Sequence, residues 1–266
     1  MKLYFPSGMT HHGENAIKHL DFEQYTGEDH KEPAMFWCYF LEDYEYMLEH
    51  KGKKFIFWHG SDVLRLRENP ELRKYLRPMH EQDITHVCHS QLLQDELAEL
   101  GLYALVRPTF WGDVKKYKPT YEYSDKPEIY LTSSPGREIE YGEGYVIALS
   151  KAFPECRFHV YGNDGHSTDN LFFHGRVPED QMDKEIVDMQ ICLRMNKHDG
   201  FSQTSMKALL LGQYLITRID YDYIHYAEKY QEIVHLIDCY IDNDTMTDDY
   251  YDPENTTKQF NNFDYI

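Results

Sequence analysis

The sequence predicts an α/β protein built from two parallel-sheet domains, and three observations carry that prediction. The chain has 266 residues, too many for one small domain and comfortable for two of roughly 100–150 residues. Short apolar runs alternate with stretches of helical periodicity, which is the pattern of βα units with parallel strands. The alternation breaks once, over Pro108–Pro127, a polar, aromatic and poorly periodic stretch holding Gly112 and Pro119, and then restarts.

In the first half, Lys2–Phe5 reads as a strand and Ser7–Glu14 as a Gly- and His-bearing loop. Met35–Phe40 is an apolar run that periodicity leaves open between strand and buried helix. Glu42–His50 looks helical. Lys54–Trp58 is a strand that runs into His59-Gly60-Ser61-Asp62, and Asp62 can cap a helix containing Val63–Arg67. Thr85–Cys88 is a strand, Ser90 caps a helix over Gln91–Leu100, and Gly101 stops it. Tyr103–Val106 is the last strand before Pro108. These readings give an N-terminal domain over 1–107 and a linker over 108–127.

The second half repeats the plan. Glu128–Thr132 is a strand followed by Ser133-Ser134-Pro135-Gly136-Arg137. A helix runs through about Tyr145–Ala152, and Pro154 ends it. Phe158–Tyr161 is a strand closed by Gly162, and Leu171–Phe173 a short strand before Gly175. Pro178 starts a helix to about Asp188. Ile191–Arg194 is a strand leading to His198-Asp199-Gly200, Gln203–Leu211 a helix stopped by Gly212, and Tyr214–Thr217 the next strand. A final helix spans roughly Ile224–Ile237. The C-terminal domain is therefore expected over 128–237, with an acidic tail over 238–266.

Composition narrows the function classes. The chain carries 46 acidic and 27 basic residues, a formal charge of −19, which repels nucleic acid and anionic membranes at long range. Much of the excess crowds into Asp238, Asp242, Asp244, Asp248, Asp249, Asp252 and Glu254, a solvated terminal run. The five cysteines, Cys38, Cys88, Cys156, Cys192 and Cys239, are odd in number and form no C-x-x-C pair. They read as free thiols of a reducing compartment. With no signal peptide and no apolar run long enough to span a membrane, a cytoplasmic protein is expected.

Three strand-end loops can carry chemistry. The strongest runs from Arg194 to Gly212. Gly200 permits a tight turn or a close approach of backbone, and Ser202 is a good N-cap for the helix after it. The free N–H groups of that helix form a ready anion site at the strand ends of the sheet. His198 and Asp199 lie on the loop, placed to touch a polar ligand. The plainer alternative is an ordinary capped βα connection. The second loop is Ser133–Arg137, where Arg137 is suited to gripping phosphate. The third is His59–Asp62, where His59 can meet a sugar, phosphate or acceptor and Asp62 can equally be a helix cap. His86, Cys88 and His89 have metal-ligand side chains, but strand alternation sends His89 to the opposite face. His11-His12, Asp220-Tyr221-Asp222 and Asp242-Asn243-Asp244 are weaker, and no metal site is expected. Neither a G-x-x-x-x-G-K-[ST] loop nor a G-x-G-x-x-G occurs.

Taken in order, these loops resemble the GT-B glycosyltransferases, in particular the retaining, mannosyltransferase-like family (glycosyl transferases group 1). The similarity covers about Lys54 to Arg218 and is clearest from Tyr130 on. It rests on Gly136-Arg137, on His159-Val160-Tyr161-Gly162, and on Phe173-His174-Gly175-Arg176-Val177-Pro178. It continues through Asp199-Gly200-Phe201, Lys207-Ala208-Leu209, Gly212 and Leu215-Ile216. The resemblance implies two Rossmann-like domains facing across a cleft, with the N-terminal one reduced. It implies a hexosyltransferase-type enzyme that moves a sugar from a nucleotide diphosphate sugar to an acceptor with retention, needing neither metal nor cofactor.

By that resemblance Arg137 and the helix start at Phe201, Ser202, Gln203 and Thr204 neutralise the leaving diphosphate. Gly136, His198, Gly200 and Lys207 complete the donor site. Asp199 holds donor-sugar hydroxyls, and His59 faces the reaction from the N-terminal side. Two departures stand out. The second acidic position, which in the family hydrogen-bonds the nucleotide ribose, is Lys207, so a cation is expected there to assist the diphosphate. The family's Lys-Gly after the Arg is replaced by Tyr141-Gly142 and Glu143-Gly144. The expected partners are a nucleotide sugar and a glycan, lipid or protein acceptor, with nucleic acid disfavoured and the oligomeric state left open. A non-catalytic nucleotide-sugar-binding scaffold and a nucleotide-sugar epimerase of the same fold are the alternatives.

Overall fold

A computed structural model describes residues 1–120, 122–219, 224–242, 260, 261, 263, 264 and 266. The chain forms two compact units. The first comprises Met1–Lys116 and Asp199–Gln203 together with the described residues of 260–266; the second comprises Tyr117–His198 and the described residues of 204–257. The stretch 108–116 thus belongs to the first unit, where Thr109, Phe110 and Trp111 are buried.

The first unit is a parallel sheet with helices on both faces. Its elements in order are β1 (Lys2–Tyr4), α1 (Thr10–His19), β2 (Glu23–Gln24), β3 (Ala34–Phe36), α2 (Leu41–Glu49), β4 (Lys54–Trp58), α3 (Ser61–Glu68), α4 (Pro70–Arg73), α5 (Leu76–Glu81), β5 (Ile84–Cys88), α6 (Gln91–Glu99) and β6 (Ala104–Val106). The strand order is β2-β1-β3-β4-β5-β6. Alternation along β4 shows how each strand serves two cores. Ile56 and Trp58 enter the cluster built with Tyr44, Met47, Val63, Leu66, Leu93 and Leu97. Phe55 and Phe57 enter the opposite one with Leu3, Ala16, Trp37 and Trp111.

The expected loop over Ser7–Glu14 is instead helical: a 3-10 turn at Ser7–Met9 leads directly into α1. Gly13 sits inside that helix because a Cβ there would come within 2.3 Å of the Phe5 ring. It is a packing glycine, not a turn glycine.

The second unit contains β7 (Glu128–Thr132), α7 (Glu138–Tyr141), α8 (Glu143–Ala152), β8 (Arg157–Tyr161), β9 (Leu171–Gly175), α9 (Glu179–Ile186), β10 (Ile191–Arg194), α10 (Gln203–Leu211), β11 (Tyr214–Thr217), β12 (His225–Tyr226) and α11 (Tyr230–Ile241). Its parallel sheet has the order β12-β11-β10-β7-β8-β9. Ile129, Leu131, Phe158, Val160, Ile191, Leu193 and Ile216 pack on one face against Val146 and Leu149 of α8 and Ile233 and Ile237 of α11. The last helix starts six residues later than the expected Ile224. His225–Tyr226 pair with β11, and Glu232 accepts from the Glu228 and Lys229 N–H groups, fixing the helix start there. All five cysteines are free thiols.

Candidate functional site

The order of the second sheet fixes where a ligand fits. Chain progression runs outward from β7 to β8 and β9 on one side, and from β10 to β11 on the other. The strand ends of β7 and β10 therefore flank a switch point, where α/β sheets leave a crevice beyond the carboxyl ends of the strands. Two polar atoms are buried there without a hydrogen-bond partner among the described residues: Ser133 Oγ, one residue past β7, and Asn196 Oδ1, two residues past β10. Buried polar atoms are almost always satisfied, so the pair marks a place for a polar ligand. Gly162, with φ at +93°, closes this floor: a Cβ there would lie 2.3 Å from the Ser133 carbonyl oxygen.

Cationic groups gather at the same edge. The Arg137 and Arg194 guanidiniums each lie 4.9 Å from the centre of the Tyr141 ring. Arg194 donates to Thr132 Oγ1 at 3.2 Å, and Arg137 Nε donates to Glu140 Oε2 at 2.8 Å. The Glu140 carboxyl is held below the usual carboxylate range, first by the Arg137 hydrogen bond and then by the charges of Arg137, Arg194 and His198. That dependence places His198 in the same electrostatic neighbourhood. Gly136 has φ at +78° and faces open space, so it is present for its backbone angle. Beside these groups Lys197 and Arg218 line a groove of about 590 Å³ with Gly142, Tyr145, Ile147 and Tyr230.

Lys207 takes a different position from the one the resemblance implies. It is buried on α10, and its ammonium donates to Glu179 and Asp183 of α9, the latter at 2.7 Å. Two carboxylates already neutralise it, and a diphosphate would have to displace one of them.

The predicted stretch His198–Gly212 is divided between the two units, His198 and Thr204 onward in the second and Asp199–Gln203 in the first. In the first unit Gly200 meets the His59 loop so closely that a Cβ on it would lie 1.9 Å from the His59 carbonyl oxygen. The next residue, Phe201, carries a φ of +104°, and its N–H donates to Asp199 Oδ1 at 3.1 Å. Gln203 holds the backbone of 109–111: its Oε1 accepts from Trp111 N and its Nε2 donates to Thr109 O. Ser202 immediately precedes the first residue of α10.

His59 stands just past the β4 end. Asp62 is not the expected N-cap, because α3 already starts at Ser61 with Gly60 as its cap; from inside the first turn it accepts from the N–H groups of His59, Gly60 and Val63. The His59 ring packs against Trp37 at 4.6 Å, His89 at 5.4 Å and Trp111 at 5.7 Å. Burial, and then the neighbouring His89 and His12, push its pKa well below the ordinary value, so the ring is neutral. His59 Nε2, Trp37 Nε1 and Trp111 Nε1 are buried without a partner among the described residues.

His86 and His89 are structural in their contacts. His86 Nδ1 accepts from Trp58 Nε1, His89 Nδ1 accepts from Thr109 N, and Cys88 Sγ donates to the Ser90 carbonyl. His11 and His12 lie in the first turn of α1. Among the described residues no group of three or more His, Cys, Asp or Glu is placed to hold a metal ion. The carboxylates of 220–222, Asp244 and the acidic run from 248 onward lie outside the described residues. Sequence reasoning gave no role to Arg194, Asn196, Glu140 or Tyr141. Arg194 carried a usable signal, an arginine at a strand end; the orphaned Asn196 oxygen did not, because burial is not written in residue type.

No family model matches the chain, and no curated protein matches its sequence. Solved structures do match its fold. Anabaena HepE in complex with UDP-glucose is 12% identical, with a TM-score of 0.65 over 97% of this chain and 89% of that one. S. aureus TarM in complex with UDP is 13% identical, with a TM-score of 0.56 over 85% of this chain and 54% of that one. The pneumococcal O-GlcNAc transferase GtfA in complex with UDP and GlcNAc is 14% identical, with a TM-score of 0.54 over 85% and 53%. This chain thus spans about half the length of TarM and GtfA. The fold is GT-B, with two Rossmann-like α/β units.

Proposed function

We propose that the protein is a glycosyltransferase that takes a sugar from a nucleoside diphosphate sugar and passes it to an acceptor with retention, without a metal. The observation that carries this reading is the crevice at the switch point of the second sheet. In a chain of net charge −19, Arg137 bonds Glu140 and shares the Tyr141 ring with Arg194, beside two orphaned polar atoms. A site of that kind suits a diphosphate. Similar folds were solved with UDP or UDP-glucose bound.

In this mechanism the diphosphate exchanges for Glu140 as the partner of Arg137. Arg137 and Arg194 then stabilise the negative charge that grows on the leaving group as the glycosidic bond breaks. The first N–H groups of α10 add to that field.

The test is to incubate the protein with UDP, GDP and dTDP sugars, with and without candidate acceptors, and to measure free nucleotide. Release of nucleotide from one donor is expected, and Arg137→Ala should lower it about 10²-fold. Thermal stabilisation by a nucleotide without turnover would turn the reading to a binding scaffold, and interconversion of donor sugars to an epimerase.

A further inference from the structure

The first sheet has a switch point of its own. The chain runs from β1 outward to β2, then crosses to β3 on the other side and continues to β4, β5 and β6. The carboxyl ends of β1 and β3 flank that point, where open α/β sheets leave room for a ligand. One carboxylate fixes the loop after β3. Asp43 Oδ2 accepts from Tyr39 N at 2.8 Å and from Phe40 N at 2.7 Å. Its Oδ1 takes the hydroxyl of Tyr4, the last residue of β1, at 2.6 Å. Phe40 and Leu41 leave this anchored loop 36% and 37% exposed.

A cation packs on the same loop. The guanidinium carbon of Arg65, on α3, lies 4.4 Å from the centre of the Tyr39 ring and 5.3 Å from that of Phe40. The Arg65 side chain makes no ion pair or hydrogen bond among the described residues, and its Nε is buried. Arg67 of the same helix is paired with both Glu96 and Glu99. The contrast matters in a chain with 46 acidic and 27 basic residues, where carboxylates are plentiful. Buried donors are almost always met. The one unmet here belongs to a planar N–H fork, whose geometry matches an oxyanion. The rings and Leu41 add apolar surface beside that charge, which suits the C–H face of a sugar.

We infer that Arg65, with Tyr39 and Phe40, binds an acidic saccharide, a sugar ring that bears a carboxylate or a phosphate. The oxyanion takes the guanidinium fork, and the ring lies against Phe40 and Leu41. That this ligand is the acceptor rests on the transfer reading above; its binding does not.

The experiment titrates the intact chain with glucuronate, glucose 6-phosphate and glucose, and follows the amide NMR signals of residues 39–41 and 65. The acidic sugars are expected to shift those signals and to bind about 10-fold more tightly than glucose, the lower end of the range for hydrogen bonds to a charged group. A preference for one acidic sugar alone supports the site and names its oxyanion. Arg65→Ala should abolish the preference, and Arg137→Ala should leave it unchanged. Arg65→Lys keeps a charge but not the fork and should lower the preference, which serves if the alanine variant does not fold. Phe40→Ala should weaken all three sugars. Equal binding of acidic and neutral sugars by the intact chain, or a preference lost in Arg137→Ala and retained in Arg65→Ala, overturns the site. Binding that depends on Arg65 in a protein that releases no nucleotide from any donor sustains the site and overturns only its reading as the acceptor's.

Discussion

At the scale of single residues, Gly200 shows what a sequence can and cannot say. A glycine after a strand and an aspartate is legible as a tight turn or a close approach of backbone. Only the structure shows which. The obstacle is the His59 carbonyl, 1.9 Å from where a Cβ would sit, with Leu93 next at 3.0 Å. Since the obstacle is backbone, no rotamer change relieves it. Gly200→Ala is expected to destabilise the protein by about 1–3 kcal/mol, the usual penalty of overpacking. Denaturant titration measures this, and an unchanged midpoint would count against the contact. The same division holds in the candidate site. Gly136, to which the structure gives a φ of +78°, was readable as a glycine at a strand end. The pairing of Lys207 with Glu179 was not, since the two residues are 28 positions apart and nothing local links them.

Elements were readable where they carried their own period. The strands β4, β5, β7, β8, β10 and β11 are apolar runs closed by polar or glycine-bearing loops, and the sequence locates each within a residue. The strands β2 and β12 have two residues each, too few for any alternation, and were missed. The start of α11 was misplaced because Ile224 is apolar and fits the helical stripe, while the true boundary is set by a cap. The Glu232 carboxylate accepts from Glu228 N at 2.8 Å and from Lys229 N at 2.9 Å, and these bonds hold its pKa low. Glu232→Ala should therefore fray the first turn of α11. Amide hydrogen exchange over 228–233 would show faster exchange there and little change elsewhere.

For the molecule as a whole, buried histidines set the response to acid. Burial, as the leading cause, drives His86, His159 and His225 down to about 4 and His89 to about 3. A group whose folded pKa lies below its unfolded value binds fewer protons when folded. Its contribution is complete above the unfolded value near 6.5 and is lost as pH falls toward the folded value. Asp62 opposes this: burial raises it to about 6, so its contribution grows as pH falls below that point. Four histidines outweigh one aspartate. The denaturation midpoint should decline from about pH 7 to about pH 4.5, and His86→Gln should flatten that decline. A midpoint that is level across the range would show that these rings are not buried as described.

The five residues Asp199–Gln203 have a consequence for how such a protein can be inherited. They belong to the first unit, yet the chain reaches them only after completing four strands of the second. The first unit is therefore not a cassette. A splice or recombination joint anywhere between 116 and 199 would hand one parent's His59 loop to the other parent's Gly200, and would pair the Thr109 and Trp111 backbone with a foreign partner in place of Gln203. The two halves of this sequence are bound to diverge together, as one lineage and not as two exchangeable parts.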